Sequence, residues 1–148
     1  MNARDDAAAQ ALAERVRDTM YATDRAAHAL GMEVVAVGPG TASVAMTVRE
    51  EMLNGFGSCQ GGLIATLADM AFAYACNSWN EMTVASGFEI ELLGPARAGD
   101  RLVARGEAVS QGARLGVYDI HVTNQRGERV ALFRGRSYRL KGKPVVAA

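Results

Sequence analysis

This chain of 148 residues contains little cysteine and histidine, and it has no excess of positive or negative charge. Each of these features excludes a class of protein. The two cysteines, Cys59 and Cys76, are too few for a disulfide framework, so we interpret both as reduced thiols of a cytoplasmic protein. The two histidines, His28 and His121, are far apart in the sequence and belong to no cluster of ligands, so we expect no bound metal. Sixteen basic residues balance sixteen acidic ones, which argues against a nucleic-acid-binding surface.

Long apolar segments are missing as well. The first twenty residues contain seven charged side chains, so we expect no secretory signal there. The apolar run of residues 63–76 is too short to cross a bilayer and contains Asp69, so no membrane partner is expected. Hydrophobic residues make up 49% of the chain and charged residues 22%, which is the composition of one soluble globular domain with a full core.

The hydrophobic period changes from helical to strand-like along the chain. Residues 1–20 are interpreted as an N-terminal helical extension with a frayed start, residues 21–141 as a single domain, and residues 142–148 as a disordered tail. Within the domain, alternating patterns predict six strands, at residues 32–37, 41–48, 83–93, 101–110, 115–123 and 129–140. A helix that is apolar nearly all round is predicted at residues 61–76, between the second and third strands.

One apolar helix among six strands predicts an α+β fold. A long antiparallel sheet that wraps around the single central helix would bury it, which is the hot-dog fold. Such a sheet has exposed edges, and one chain does not fully enclose the helix. We therefore expect a homodimer, which pairs further into a homotetramer.

Asp69 is the most informative residue, because it is the only charged residue between Glu51 and Glu81. A carboxylate inside an apolar helix is costly unless it is paired or used. The helix is preceded by Asn54-Gly55-Phe56-Gly57-Ser58-Cys59-Gln60-Gly61-Gly62, a loop that can present unpaired backbone N–H groups to a ligand. Taken alone, the acid is either a site residue or a structural one, and the paired glycines form either a binding site or a tight turn.

These residues resemble the N-x-x-G-x-x-H-G-G-x-x-x-x-L-x-D signature of hot-dog acyl-CoA thioesterases, with Asn54 at its start and Asp69 at its end. Residues 69–78, 117–120 and 130–137 extend the likeness to the phenylacetic-acid-degradation (PaaI) branch, over roughly residues 20–140. The sequence departs from the pattern at three positions. Gln60 and Phe56 stand where relatives have His, and Gly94 stands where relatives often have Arg.

The resemblance implies a hydrolase of acyl-CoA thioesters, with an aryl-acyl group such as phenylacetyl or hydroxyphenylacetyl. It assigns Asp69 as nucleophile or general base and the Gly61 N–H as the oxyanion donor. Asn54 and Gln60 are the corresponding positioning amides, and Gln60 cannot exchange a proton near neutral pH as His would. Alternatively, Asn54 only caps the loop and Gln60 has no role in the site. In such dimers the oxyanion loop of one chain faces the carboxylate of the other. No cofactor is implied, since CoA enters as part of the substrate.

Five further residues are candidates for substrate binding. Gly62 permits close approach because it has no Cβ, Phe56 and Tyr74 are candidates for an acyl pocket, and Arg97 and Arg136 are candidates for the CoA phosphates. Alternatively, Phe56 is a core residue, and Arg134, Arg136 and Arg139 form a solvated face. Three other functions stay open: an acyl-CoA-binding protein with little or no turnover, a hot-dog dehydratase, and a purely structural oligomer.

Overall fold

The computed structural model describes residues 2–148 and contains one sheet with a helix packed across it. In chain order the elements are α1 (Ala3–Ala22), α2 (Arg25–Ala29), β1 (Glu33–Gly38), β2 (Thr41–Thr47), a 3-10 turn (Glu50–Met52), α3 (Gly61–Asn77), β3 (Thr83–Leu92), β4 (Arg101–Gln111), β5 (Leu115–Thr123) and β6 (Arg129–Arg139). The strand order is β1-β2-β4-β5-β6-β3, and all neighbours are antiparallel. The predicted hot-dog fold is confirmed.

The core lies between α3 and the concave face of the sheet. Phe72 of α3 contacts the rings of Tyr118 and Phe133, with centroids 5.5 and 6.0 Å away. At Gly135 of β6, an added Cβ would come within 2.9 Å of the Phe72 ring. Glycine at this position therefore leaves room for the Phe72 ring between α3 and β6.

The sheet leaves one stripe of α3 uncovered. This stripe follows the helical period, and its members are exposed or half-buried: Gly62, Thr66, Asp69 and Ala73. Beside it, β3 pairs only with β6, so its other edge has no strand partner within residues 2–148. That edge strand carries large exposed apolar side chains, namely Val84, Phe88 and Leu92. The fold therefore leaves an open strand edge and an incompletely covered helix next to each other.

Both ends of the chain contact this body. The Asn2 side chain caps α1 by accepting hydrogen bonds from the N–H groups of Arg4 and Asp5, and Val16 of the same helix is buried. Met1, part of the predicted extension, lies outside the described residues. The tail that was predicted to be disordered is bound to Asn80, whose Oδ1 accepts from the N–H groups of residues 145 and 146. None of the helices in residues 2–148 combines the length and apolar character that a membrane crossing requires.

Candidate active site

Asn54 organises the loop that leads into α3. Its Oδ1 accepts hydrogen bonds from the N–H groups of Phe56 at 2.9 Å and Ser58 at 3.3 Å. Its backbone N–H donates to the Ser58 carbonyl at 2.8 Å, so the loop closes on itself. Oδ1 faces two backbone donors, so a flip of the side-chain amide would place its own NH₂ group against these N–H groups. The amide is therefore held in this orientation. The Nδ2 group is thereby directed away from the loop, and it has no acceptor within residues 2–148.

The N-terminus of α3 presents free donors. Gln60 is the N-cap residue, yet its side chain forms no capping hydrogen bond and is exposed. The first backbone donor of the helix with an acceptor is Leu63, which bonds the Gln60 carbonyl at 2.9 Å. The N–H groups of Gly61 and Gly62 have no acceptor in the described chain. Together with the positive end of the helix dipole, they form a site suited to a negatively charged oxygen.

The two glycines differ in their surroundings. A Cβ on Gly61 would lie 2.6 Å from Cδ1 of Leu92, so this position is closed on the side of β3. A Cβ on Gly62 would meet nothing within 4 Å, so the space in front of this residue is open. Gly61 therefore lies against the end of β3, whereas Gly62 borders free space along the uncovered stripe of α3.

A groove of about 270 Å³ lies between the loop and the end of β3. Asn54, Gly61 and Ile64 form one side of it, and residues 92–96 form the other. Leu92 and Leu93 make the second side largely apolar, and each is 54% exposed in the single chain. The groove thus combines hydrogen-bond donors with an apolar wall, as an acyl-binding site requires. The two leucines were not identified in the sequence analysis, although they end a strand directly before Gly94-Pro95.

Asp69 is half-buried, and burial raises the pKa of its carboxyl above the ordinary value for aspartate. Within residues 2–148 no hydrogen bond or ion pair offsets this cost. Asp69 lies eight residues after Gly61, so the rise of the helix separates the two Cα atoms by about 12 Å. One thioester carbonyl cannot bridge that distance, and Asp69 does not line the groove of its own chain.

The structure brings only some of the other predicted residues to the groove. Phe56 is 98% exposed at the tip of the loop, so it is not part of the core of its own chain. Arg97 follows a groove residue, and its side chain is exposed. The Tyr74 hydroxyl donates to Oδ2 of Asp24 at 2.9 Å, so it joins α3 to α2 instead of facing the groove.

Arg136, a candidate for the CoA phosphates, lies on the solvated face that the sequence analysis gave as its alternative placement. Alternate residues of β6 face α3, so Gly135 and Ser137 are buried and Arg136 lies on the opposite face of the sheet. There its guanidinium donates to Glu89 at 2.9 Å. In this chain Arg136 is therefore paired and remote from the groove.

Among residues 2–148 no group of three His, Cys, Asp or Glu side chains is arranged to hold a metal ion.

Fold and site together define a hot-dog thioesterase. Residues 56–131 match the thioesterase superfamily, and the chain belongs to this family, in its PaaI branch. The acyl-coenzyme A thioesterase PaaI of Escherichia coli (strain K12) is 50% identical over 123 residues, which is 83% of this chain and 88% of that protein.

Solved structures agree with this assignment. The E. coli PaaI protein from the phenylacetic acid degradation operon has a TM-score of 0.89 at 46% identity, covering 90% of this chain and 97% of that one. A hypothetical thioesterase from Streptococcus pneumoniae TIGR4, solved with coenzyme A, has a TM-score of 0.72 at 27% identity, covering 76% and 90%. The predicted family is confirmed.

Proposed function

We propose that this acyl-CoA thioesterase hydrolyses aryl-acyl-CoA thioesters, such as phenylacetyl- or hydroxyphenylacetyl-CoA, at sites shared between two subunits. One observation carries the shared site: free N–H donors border the groove, while the unpaired acid lies about 12 Å farther along the same helix. A second copy can supply the acid to the groove of the first. The origin of the E. coli relative in a phenylacetic acid degradation operon supports the aryl substrate.

The uncovered surfaces favour a symmetric dimer. A two-fold axis that pairs two β3 edges antiparallel also sets the two α3 helices antiparallel, side by side along their uncovered stripes. The N-terminus of one α3 then lies beside the middle of the other, where Asp69 is. This arrangement would bury the exposed Val84, Phe88 and Leu92 of both chains. Pairing of two such dimers gives the proposed tetramer.

The proposed chemistry follows from these positions. The thioester carbonyl oxygen accepts from the Gly61 N–H and from Nδ2 of Asn54, which stabilise the negative charge that develops on it. Asp69 of the opposite subunit either attacks the carbonyl carbon or removes a proton from an attacking water. When water attacks, the C–S bond breaks, the proton that Asp69 took from the water passes to the thiolate, and the products are a carboxylic acid and CoA. In the covalent route, the thiolate leaves as the anhydride with Asp69 forms. Water then hydrolyses the anhydride, which restores the Asp69 carboxylate, releases the carboxylic acid and supplies the proton for the thiolate. Gln60 is exposed at the same helix end and is proposed to position the substrate.

A substrate panel tests the proposed specificity. We expect kcat/KM for phenylacetyl-CoA to exceed that for a long linear acyl-CoA by about 10-fold or more, because an aryl ring fits a short apolar groove. Thiol release measures turnover, and calorimetry measures binding to the same compounds. Tight binding without release would instead indicate a binding protein, hydration of an enoyl-CoA would indicate a dehydratase, and neither binding nor turnover would indicate a structural oligomer.

Mixed dimers test whether the site is shared. One subunit carries Asp69→Asn, and the other carries Gly61→Pro, which removes the N–H, with Leu92→Ala, which makes room for the new ring. If loop and acid come from different subunits, a mixed dimer has one intact site and one doubly altered site. We expect about half of the unmodified activity per dimer, although each parent dimer is nearly inactive. Differently tagged subunits allow the mixed species to be purified. A mixed dimer as inactive as its parents would place the whole site in one chain.

A further inference from the structure

The helix α3 and the edge strand β3 run in opposite directions and are in contact at both ends. At one end, a Cβ on Gly61 would lie 2.6 Å from Cδ1 of Leu92. At the other end, the Asn77 side chain donates to the Thr83 carbonyl at 3.0 Å and accepts from the Thr83 N–H at 2.9 Å. The middle of the helix therefore lies beside the middle of the strand.

Asp69 and Phe88 occupy these middle positions. Asp69 is the central residue of α3, and Phe88 is near the centre of the ten-residue strand β3. Phe72, one turn after Asp69 on the helix, lies 6.0 Å from Phe133 between ring centroids. Phe133 in turn stacks against Phe88, with centroids 4.7 Å apart. A row of aromatic rings thus connects the part of α3 that carries the acid to the edge strand.

The Phe88 ring is packed on one side and open on the other. Its register partner on β6 is Gly135, which lies on the face of the sheet that packs against α3. The planes of the Phe88 and Phe133 rings differ by 28°, and Phe133 is fully buried, yet Phe88 is 45% exposed. Aromatic rings bind further rings in offset-stacked or edge-to-face arrangements. Phe88 therefore presents a fixed aromatic surface next to the acid.

We infer that Phe88 forms an aromatic wall of the acyl pocket in the opposite subunit and determines the preference for aryl-acyl groups. The inference rests on the proposed function, in which Asp69 of one subunit reaches the groove of the other. Because Phe88 lies beside Asp69 in its own chain, a dimer that brings this acid to the groove also brings this ring.

The substrate's own structure fits this position. In phenylacetyl-CoA a single CH₂ group separates the ring from the carbonyl carbon, so a residue beside the attacking acid can contact the ring. The aryl group then lies between Leu92 and Leu93 of the subunit that supplies the N–H donors and Phe88 of the subunit that supplies the acid. Aliphatic side chains on one side and a phenyl ring on the other favour a flat aromatic group over a flexible chain.

Phe56 is the competing aromatic residue. It is 98% exposed at the tip of the loop, and no aromatic side chain in residues 2–148 packs against it. Substrate binding would have to order its ring, whereas Phe133 already holds the ring of Phe88. Phe88 is therefore the aromatic side chain that selects the acyl group at the lower cost in side-chain entropy.

Two matched substrates isolate the contribution of the ring. Phenylacetyl-CoA and cyclohexylacetyl-CoA have similar size, but only the first has an aromatic face. Phe88→Leu should lower kcat/KM for phenylacetyl-CoA about 5-fold and change that for cyclohexylacetyl-CoA by less than about 2-fold. Phe88→Tyr, which retains a ring, should keep the unmodified ratio of the two values. Sedimentation verifies that each variant is assembled, and Phe88→Ile, with a side chain favoured in strands, replaces the leucine variant if that one dissociates.

Tyr138→Leu is the matched control, because it removes an exposed ring from the outer face of β6 and should change neither substrate's kinetics. Equal losses on both thioesters in Phe88→Leu, or an unchanged ratio, would overturn the inference. A ratio that falls in Phe56→Leu and not in Phe88→Leu would assign the aromatic wall to the loop and would also overturn it.

Mixed dimers show which subunit supplies the ring. In the mixed dimer described above, the intact site combines the loop of the Asp69→Asn subunit with Asp69 of the Gly61→Pro/Leu92→Ala subunit. Phe88→Leu should lower the ratio about 5-fold when it is placed on the second subunit and leave it unchanged on the first. An active mixed dimer with the same ratio for both placements would overturn the inference. An inactive mixed dimer, or no thioester cleavage by the unmodified protein, would instead contradict the proposed function.

Discussion

The Asp69→Asn variant should lose about 10²–10⁴-fold in kcat, because the amide can neither attack a thioester nor accept a proton from water. Thiol release from phenylacetyl-CoA measures this loss directly. The oligomer mass should not change, since Asp69 makes no hydrogen bond or ion pair in residues 2–148. The exposed Asp18→Asn variant is the matched control, because it makes the same chemical change on α1. Near-normal turnover by Asp69→Asn would exclude Asp69 from the chemistry.

The raised pKa of Asp69 has two consequences of opposite kind. Catalysis needs the ionised carboxylate, so kcat/KM should fall as the pH drops through this pKa, at a higher pH than for an ordinary aspartate. The free energy of unfolding has the opposite dependence on pH. A folded-state pKa above the unfolded one contributes stability at pH below the unfolded pKa and loses it as the pH rises through the folded pKa. Near neutral pH the ionised acid therefore costs stability, and Asp69→Asn should have an equal or higher Tm.

The Gly61→Pro variant, made together with Leu92→Ala, should lower kcat/KM by about 10²–10³-fold relative to Gly61→Ala in the same background. Both variants add a Cβ, and the Leu92 change makes room for it. They differ in the backbone N–H, which proline lacks. The difference between them therefore measures the oxyanion donor itself.

The local backbone makes this replacement a clean one. Proline is favoured at the first position of a helix, and Gln60 has φ −56° and ψ 128°, the conformation that a residue before proline prefers. No hydrogen bond within residues 2–148 is lost, because the Gly61 N–H has no acceptor there. Leu92→Ala alone measures the effect on the groove wall, and Tm values verify folding. Equal activity of the proline and alanine variants would show that this N–H does not stabilise the oxyanion.

The sequence was sufficient to predict the fold, because its determinants are local. The apolar helix and the alternating strands are visible in the order of residues, and the six strands and α3 lie within a few residues of their predicted bounds. Asp69 and Gly61 were also recognisable, since a lone acid and a glycine pair in this setting are conspicuous. Their catalytic roles stay predictions until the variants above are measured.

Contacts between distant residues could not be predicted in the same way. Tyr74 binds Asp24 across fifty residues, and Asn80 binds the tail across sixty-five or more, so neither partner can be inferred from local pattern. The alternation in β6 places Arg136 on one face of the strand, but the sequence does not show which of the two faces packs against α3.

The two hydrogen bonds accepted by Oδ1 of Asn54 set the direction of its amide before any substrate arrives. In the proposed mechanism, an incoming carbonyl would meet a donor whose rotational freedom was already lost during folding, so that binding need not restrict it again. Because the N–H groups of Phe56 and Ser58 hold the amide, a displacement of either residue would also change the direction of Nδ2. If the proposed role of Asn54 holds, the rigidity of this short exposed loop is a condition for binding the carbonyl oxygen of the substrate.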